Sequence, residues 1–153
     1  AQTYALKTLY VQMGKGYADF SIGRFQMKPS FVEQLEQYIQ SVDTLLVLFP
    51  EVRMTDKKGR SARIELVRRL EQQEWQMKYL ALFCRVVQHR FRRMKFESEQ
   101  EKLRFYANAY NAGFMLDGER LRRYKGAYFP HLAKQKFRYA DVSLWFYENL
   151  YCS

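Results

Sequence analysis

Residues 21–39 read SIGRFQMKPSFVEQLEQYI, and two different rules operate in this one stretch. From Pro29 onward, Phe31, Val32, Leu35 and Ile39 recur at three- and four-residue intervals with polar residues between them. That is the period of a helix with one apolar face. Proline suits the first turn, where its missing N–H is not needed. Val42, Leu45 and Leu46 continue the stripe, so the spacing predicts one helix from Pro29 to about residue 49, ended by Pro50. Ahead of it, Gly23 and Gln26 follow no helical rule. A helix start asks for a cap and at most a proline, and gives no reason for Gln26 three residues after Gly23.

The helical period extends outward in both directions. QTYALKTLYVQM, 2–13, places Ala5, Leu6, Leu9 and Met13 on one face and predicts a helix with nothing capping its beginning. GKGYADF, 14–20, breaks it. RMTDKKGRS, 53–61, reads as a charged loop. A long helix is expected over about 60–93, with Ile64, Val67, Leu70, Trp75, Leu82, Val86 and Val87 as core. The basic run HRFRRMKF suits its C-terminus. Ser98 and Glu101 form a capping box for a helix over about 99–112, closed by Gly113. FMLDGERLRRYKGAYFPHL, 114–132, is irregular or briefly helical, and Asp141 can cap a last helix over about 142–150. There is no internal repeat. The expectation is an all-α chain of about five to seven helices forming one domain over 1–153.

A chain of 153 residues can bury roughly two-thirds of its unfolded surface. Its 48% hydrophobic and 17% aromatic content excludes a disordered polymer. Only three Pro and seven Gly favour long helices over many short strands. The formal charge of +10, from 26 Lys and Arg against 16 Asp and Glu, favours an anionic partner. Nucleic acid, a membrane surface and an acidic wall polymer all qualify. VDTLLVLF is too short to span a membrane, and the start shows no signal peptide. Cys84 and Cys152 make no disulfide framework, and Cys84 in LALFCRVV reads as a buried thiol. His89 and His131 are isolated and no metal-ligand spacing exists, so neither a metal nor a cofactor is expected.

A second stretch bears on Gly23 and Gln26. YANAYNAGF, 106–114, ends the helix that begins after Ser98. SIGRFQMKP resembles the Gly-Leu-Met-Gln-x-x-Pro signature of the goose-lysozyme-like lytic transglycosylases. Gly23, Gln26 and Pro29 match it, while Arg24 and Phe25 replace the Leu-Met pair. Ala109 to Gly113 match that family's Ala-Tyr-Asn-Ala-Gly motif residue for residue. The two motifs come in the family's order and cover about twenty residues. Gln26 and Asn111 are 85 positions apart, longer than expected, which makes 51–95 an insertion or an elaborated helix pair.

The resemblance implies a lysozyme-like helical fold, peptidoglycan glycan strands as partner and an extracytoplasmic location. It implies that Ser21, Gly23, Gln26, Tyr110 and Asn111 line a sugar cleft, with Tyr139 in FRYADV contributing. These residue types suit the task, since side-chain amides offer donor and acceptor to sugar hydroxyls and tyrosine adds a ring. The resemblance also implies one glutamic acid that protonates the glycosidic oxygen and then serves as base for 1,6-anhydro ring closure. That acid precedes the Gly-x-x-Gln motif in the family. Here no Glu occurs before Glu33, and Asp19 is the sole acid ahead of Gly23. The acid is therefore missing from this chain: either an upstream segment carries it or the protein has lost it, and the uncapped start favours an acid upstream of Ala1, with the chain as given truncated at its N-terminus.

Plainer readings stand beside these. Gln26 can be an exposed helix-start residue, Tyr110 a core residue in register with Leu103 and Tyr106, and Asn111 ordinary helix-end chemistry. Asp19 reads more simply as a turn or cap residue and Glu33 as a surface residue compensating the helix dipole. The leading function is a lytic transglycosylase. The alternatives are a glycan binder without cleavage and a basic helical nucleic-acid binder. The last has RVVQHRFRRMKF in its favour. It is disfavoured because no helix-turn-helix or zinc pattern appears and it leaves the two motifs unexplained.

Overall fold

A computed structural model describes residues 2–53 and 57–124. Tyr139, Asp141, His131, Cys152 and the expected helix over 142–150 lie outside the described residues. Among those described there are seven α-helices and no strand, so the chain is all-α. They are α1 (Gln2–Met13), α2 (Pro29–Ile39), α3 (Asp43–Leu48), α4 (Gly59–Leu70), α5 (Gln73–Arg90), α6 (Glu99–Ala112) and α7 (Gly118–Arg123), with a 3₁₀ turn at Pro50–Val52. The chain divides into two compact units, Ala1–Val86 and Val87–Ser153, and the division falls within α5.

In the first unit α2 lays Val32, Leu35 and Ile39 into the core, each essentially without solvent exposure. Burial of such side chains contributes roughly 2 kcal/mol apiece. Phe31 meets Phe83 of α5 at 5.5 Å between ring centroids. The start of α2 is capped from a distance: Asp19 Oδ1 accepts the Ser30 N–H at 3.3 Å and its other oxygen lies 3.6 Å from Lys28 Nζ.

Helix α1 spans the expected residues but presents a different face. Leu9 and Met13, expected inward, are 40% and 51% exposed, and the one fully buried residue is Tyr10. Tyrosine buries more apolar area than leucine once its hydroxyl is paired. Here that hydroxyl donates to Glu33 Oε1 at 2.5 Å. Glu33 is thus no simple surface residue: it holds α1 to α2 and also pairs with Lys15 at 3.3 Å. Arg63 of α4 closes the C-terminus of α1, giving Nε to the Val11 carbonyl at 2.9 Å and Nη2 to that of Gln12 at 3.2 Å. A cation on the last carbonyls also suits the helix dipole.

Two helices expected as continuous are broken. The helix from Pro29 stops at Ile39 and resumes at Asp43. Ser41 turns its hydroxyl back onto the Tyr38 carbonyl at 2.8 Å, the local competition that makes serine a poor interior helix residue. The long helix over 60–93 is two helices, parted at Glu71–Gln72. No glycine or proline marks this break. The Leu70 carbonyl, which an uninterrupted helix would give to an N–H one turn later, accepts instead from Gln76 Nε2 at 2.6 Å. Of the residues expected inside, Ile64 is 49% exposed, while Val67, Leu70, Leu82, Val86 and Val87 are buried.

In the second unit α6 begins and ends where the sequence places it. Ser98 Oγ accepts the Glu101 N–H at 3.1 Å, and the returning bond from Glu101 goes to the Glu97 N–H at 2.6 Å, one residue earlier than in a standard capping box. Gly113 closes the helix at φ 111°, its N–H on the Ala109 carbonyl at 3.1 Å. Phe105 is buried, with Phe91 edge-on at 4.9 Å and Phe96 at 5.3 Å. Asp117 caps α7 through the Arg120 N–H at 3.0 Å.

Gly23 is the position where this architecture tolerates no side chain. A Cβ there would stand 1.7 Å from Gln76 Nε2, and the glycine φ of +70° is one that other residues resist. Gln76 cannot move aside without losing its own hydrogen bonds to Ile22, Leu70 and Phe25. Gly23→Ala is expected to destabilise the chain by about 2–4 kcal/mol in denaturant unfolding. In a double-mutant cycle with Gln76→Ala the two losses should fall well short of adding. Additive losses would show that Gly23 and Gln76 do not act as one unit.

Candidate functional site

The first motif forms a tight turn. Ile22 and Met27 pair as an isolated antiparallel bridge, with N–H to carbonyl distances of 2.8 and 3.1 Å. The Gln26 N–H returns to the Gly23 carbonyl at 3.2 Å, and Gln26 Nε2 reaches the same carbonyl at 2.8 Å. The turn places Gly23 at φ 70° and Gln26 at φ 51°. Glutamine in this left-handed region costs on the order of 1–2 kcal/mol, a cost glycine does not carry. Gln26 is the one non-glycine residue with positive φ among the described residues. Its amide is half-exposed, and among the described residues Oε1 and one N–H have no partner beyond the bond to Gly23.

Gln76 of α5 holds this turn from behind. It is 1% exposed. Its Nε2 donates to the Ile22 carbonyl at 3.0 Å and to Leu70, and its Oε1 accepts the Phe25 N–H at 3.0 Å. The close approach that Gly23 permits is therefore that of Gln76. Phe25 and Met27 turn into the core on either side of Gln26. Ser21, Gly23 and Gln26 are thus brought together in the first unit.

A partly buried charged network links α4 and α5 to α2. Glu65 of α4 accepts from Arg68 at 2.5 and 2.9 Å, from Arg69 at 3.1 Å and from Lys57 at 3.2 Å. The Arg68 guanidinium, with the other two cations, holds the Glu65 carboxyl well below the usual carboxylate range. Arg69 continues to the Val52 carbonyl at 3.0 Å and the Tyr79 hydroxyl at 3.3 Å, with its guanidinium 4.0 Å over Trp75. Tyr79 in turn reaches Glu36 Oε1 at 3.4 Å. Burial pushes the Glu36 carboxyl up to about 7, against the opposing pull of Arg69 and Tyr79. Burial also raises the Tyr10 and Tyr79 hydroxyls above the usual tyrosine range.

The second motif occupies the end of α6. Tyr110 and Asn111 are half-buried, and Asn111 Nδ2 donates to the Tyr124 hydroxyl at 2.8 Å. Their neighbour Asn108 is buried, its Nδ2 on the carbonyls of Leu121 at 2.8 Å and Tyr124 at 3.1 Å. Asn108 thereby fastens the end of α7 to α6. Tyr110 and Asn111 belong to the second unit, Gln26 to the first. Among the described residues no group of acidic, cysteine and histidine side chains could hold a metal ion.

Sequence reasoning passed over Gln76, Glu36 and Asn108. Each left the same signal: a polar residue at a core register. Glu36 stands at the fourth position after Val32 and the third before Ile39, inside the apolar stripe. Gln76 and Leu80, and Phe105 and Asn108, repeat the pattern. A polar residue in that register requires a buried partner.

Glu36 gives a prediction with a defined sign. In the folded chain it keeps its proton up to about pH 7, while in the unfolded chain it releases it near 4.5, the ordinary value for a glutamate. The folded state therefore binds more protons between those values, and stability falls as pH rises through that window. Glu36→Gln removes this penalty. Its melting temperature relative to the parent should rise by several degrees between pH 4.5 and pH 8, corresponding to roughly 2 kcal/mol. A difference that stays flat with pH would contradict a Glu36 carboxyl held protonated in the folded chain. No family model, no curated protein and no solved structure matches the chain.

Proposed function

We propose that the chain is a peptidoglycan lytic transglycosylase domain on a lysozyme-like fold. It would cleave the bond between N-acetylmuramic acid and N-acetylglucosamine with formation of 1,6-anhydro-N-acetylmuramic acid. One observation carries the reading. Gln26 is held in a left-handed conformation that glycine would adopt at less cost, on a turn braced by buried hydrogen bonds, with part of its amide left over. Strain held in place by surrounding structure is a mark of functional positions. The Gly-x-x-Gln and Ala-Tyr-Asn-Ala-Gly resemblance supplies the chemistry that such an amide serves.

In that chemistry one carboxylic acid gives its proton to the glycosidic oxygen as the bond from C1 breaks. The muramic acid 6-hydroxyl then attacks C1 and returns its proton to the carboxylate, so no water is consumed. By the resemblance, Gln26 of the first unit would hold a sugar hydroxyl or acetamido group in place while this happens, and Tyr110 and Asn111 of the second unit would each do the same where they stand. A second reading, glycan binding without cleavage, has one observation in its favour. Asp19, the acid four positions ahead of Gly23, is engaged with the Ser30 N–H and Lys28 and so is not free to serve as proton donor.

The test is binding of purified glycan strands to the protein as its own cells make it, followed by mass analysis of the products. Gln26→Ala and Asn111→Ala should each weaken binding about tenfold or more, with melting shifted by only a few degrees. Gln26→Gly relieves the backbone and should leave stability equal or up to about 1 kcal/mol higher, while binding still falls. Products bearing a 1,6-anhydro end support cleavage, and saturable binding without them supports the second reading. Intact binding in all three variants would remove both.

A further inference from the structure

The second unit holds a cleft of about 730 Å³ between the segment that follows α5 and the start of α7. It takes no part in the glycan reading. Five cations line it, Arg90, Arg92, Arg93, Lys95 and Arg122, against two carboxylates, Asp117 and Glu119. Both carboxylates are already engaged. Asp117 caps the Arg120 N–H, and Glu119 pairs with Arg122 at 3.4 Å and Arg123 at 3.8 Å. Arg122 is engaged too, at 3.0 Å from Glu101 and with Nη2 on the Lys95 carbonyl at 2.8 Å.

The other cations remain in surplus. Arg92 gives Nη1 to the His89 carbonyl at 3.0 Å, and neither it nor Arg93 nor Lys95 is ion-paired among the described residues. All three are exposed. Arg90 gives Nη2 to the Met115 carbonyl at 2.9 Å, and its buried Nε has no hydrogen-bond partner among the described residues. A buried donor without a partner is rare enough to call for an acceptor. Three cations without an ion pair among the described residues, set around a concave surface, make a local excess that attracts anions well beyond what scattered surface charge does.

We propose that this cleft docks an acidic peptide, its carboxylates on Arg92, Arg93 and Lys95. A nucleic acid fits the lining less well. Single strands are held by bases stacked on open aromatic faces. The aromatic ring of this cleft, Phe91, has the edge-on Phe105 at 4.9 Å and the Arg90 guanidinium over its ring at 5.3 Å. A peptide also brings backbone amides, neutral donors and acceptors that can lie beside Asp117 and Glu119.

The test is fluorescence anisotropy of labelled hexaglutamate with the full 153-residue chain at low salt, with parallel melting curves. Arg93→Glu/Lys95→Glu should lower affinity about tenfold or more without shifting the melting temperature, since both side chains are exposed. Lys58→Glu/Arg60→Glu makes the same change in net charge at exposed positions of the first unit and should cost no more than about threefold. Equal losses in the two double variants would reduce the effect to diffuse charge and overturn the site. So would the absence of hexaglutamate binding at low salt. Tighter binding of a labelled hexathymidine strand, lost in the Arg93→Glu/Lys95→Glu variant, would overturn the peptide assignment in favour of nucleic acid.

Discussion

The first unit depends on the side-chain amide of Gln76. It places both N–H groups and its oxygen on three backbone groups, that of Leu70 six residues before it and those of Ile22 and Phe25 about fifty residues before it. Each of those groups is withdrawn from water, and an unpaired one would cost roughly 1–3 kcal/mol. The same amide therefore explains two features with no local cause. It stands in for the helical bond whose absence parts α4 from α5, and it pins the turn that carries Gln26. Gly23 follows as a consequence, since the amide occupies the space a side chain would need.

This separates what the sequence makes legible from what it does not. The bounds of α1 and α6, the start of α2 at Pro29 and the Ser98 cap follow from periodicity and capping, which act within a few residues. The breaks after Ile39 and Leu70 do not. One comes from a serine folding back on its own helix, the other from a glutamine one and a half turns further on. Helix continuity is decided by which acceptor each N–H meets, and apolar spacing carries no information about that. The inward face of α1 was missed for a related reason. Hydrophobicity ranks Leu9 and Met13 above Tyr10, but Glu33 supplies the partner that lets the tyrosine be buried. At the candidate site, Gly23 and Gln26 stand out in the sequence as residues without a helical purpose. Their brace does not, because Gln76 lies fifty residues away.

The charged groups that link α4 and α5 to α2 show the same coupling. Glu36, Glu65 and Arg69 stand among apolar residues, where isolated charges are expelled. The network of Glu65, Arg69, Tyr79 and Glu36 satisfies them in sequence, though unequally. Glu65, with three cations around it, is held ionised, whereas Glu36, with a tyrosine hydroxyl and a more distant guanidinium, is pushed up to about 7. Such pairs are seldom a net source of stability, because desolvation offsets most of the attraction. Their bonds run from α4 through Tyr79 of α5 to Glu36 of α2 and so tie the three helices together.

The brace accounts for Gly23, for Gln76 and for the shape of the turn, but not for glutamine at position 26. A glycine there would hold φ 51° with less strain, and asparagine is the side chain that tolerates that region best. The bond from Gln26 Nε2 to the Gly23 carbonyl returns at most about 1 kcal/mol, because it exchanges one polar partner for another at a half-exposed site. The stability of the turn thus gives glutamine no clear advantage over glycine. The reason for the longer amide is then sought in what its unused oxygen and N–H meet outside the turn. That excess of polar reach over structural need is the ground on which the glycan reading stands.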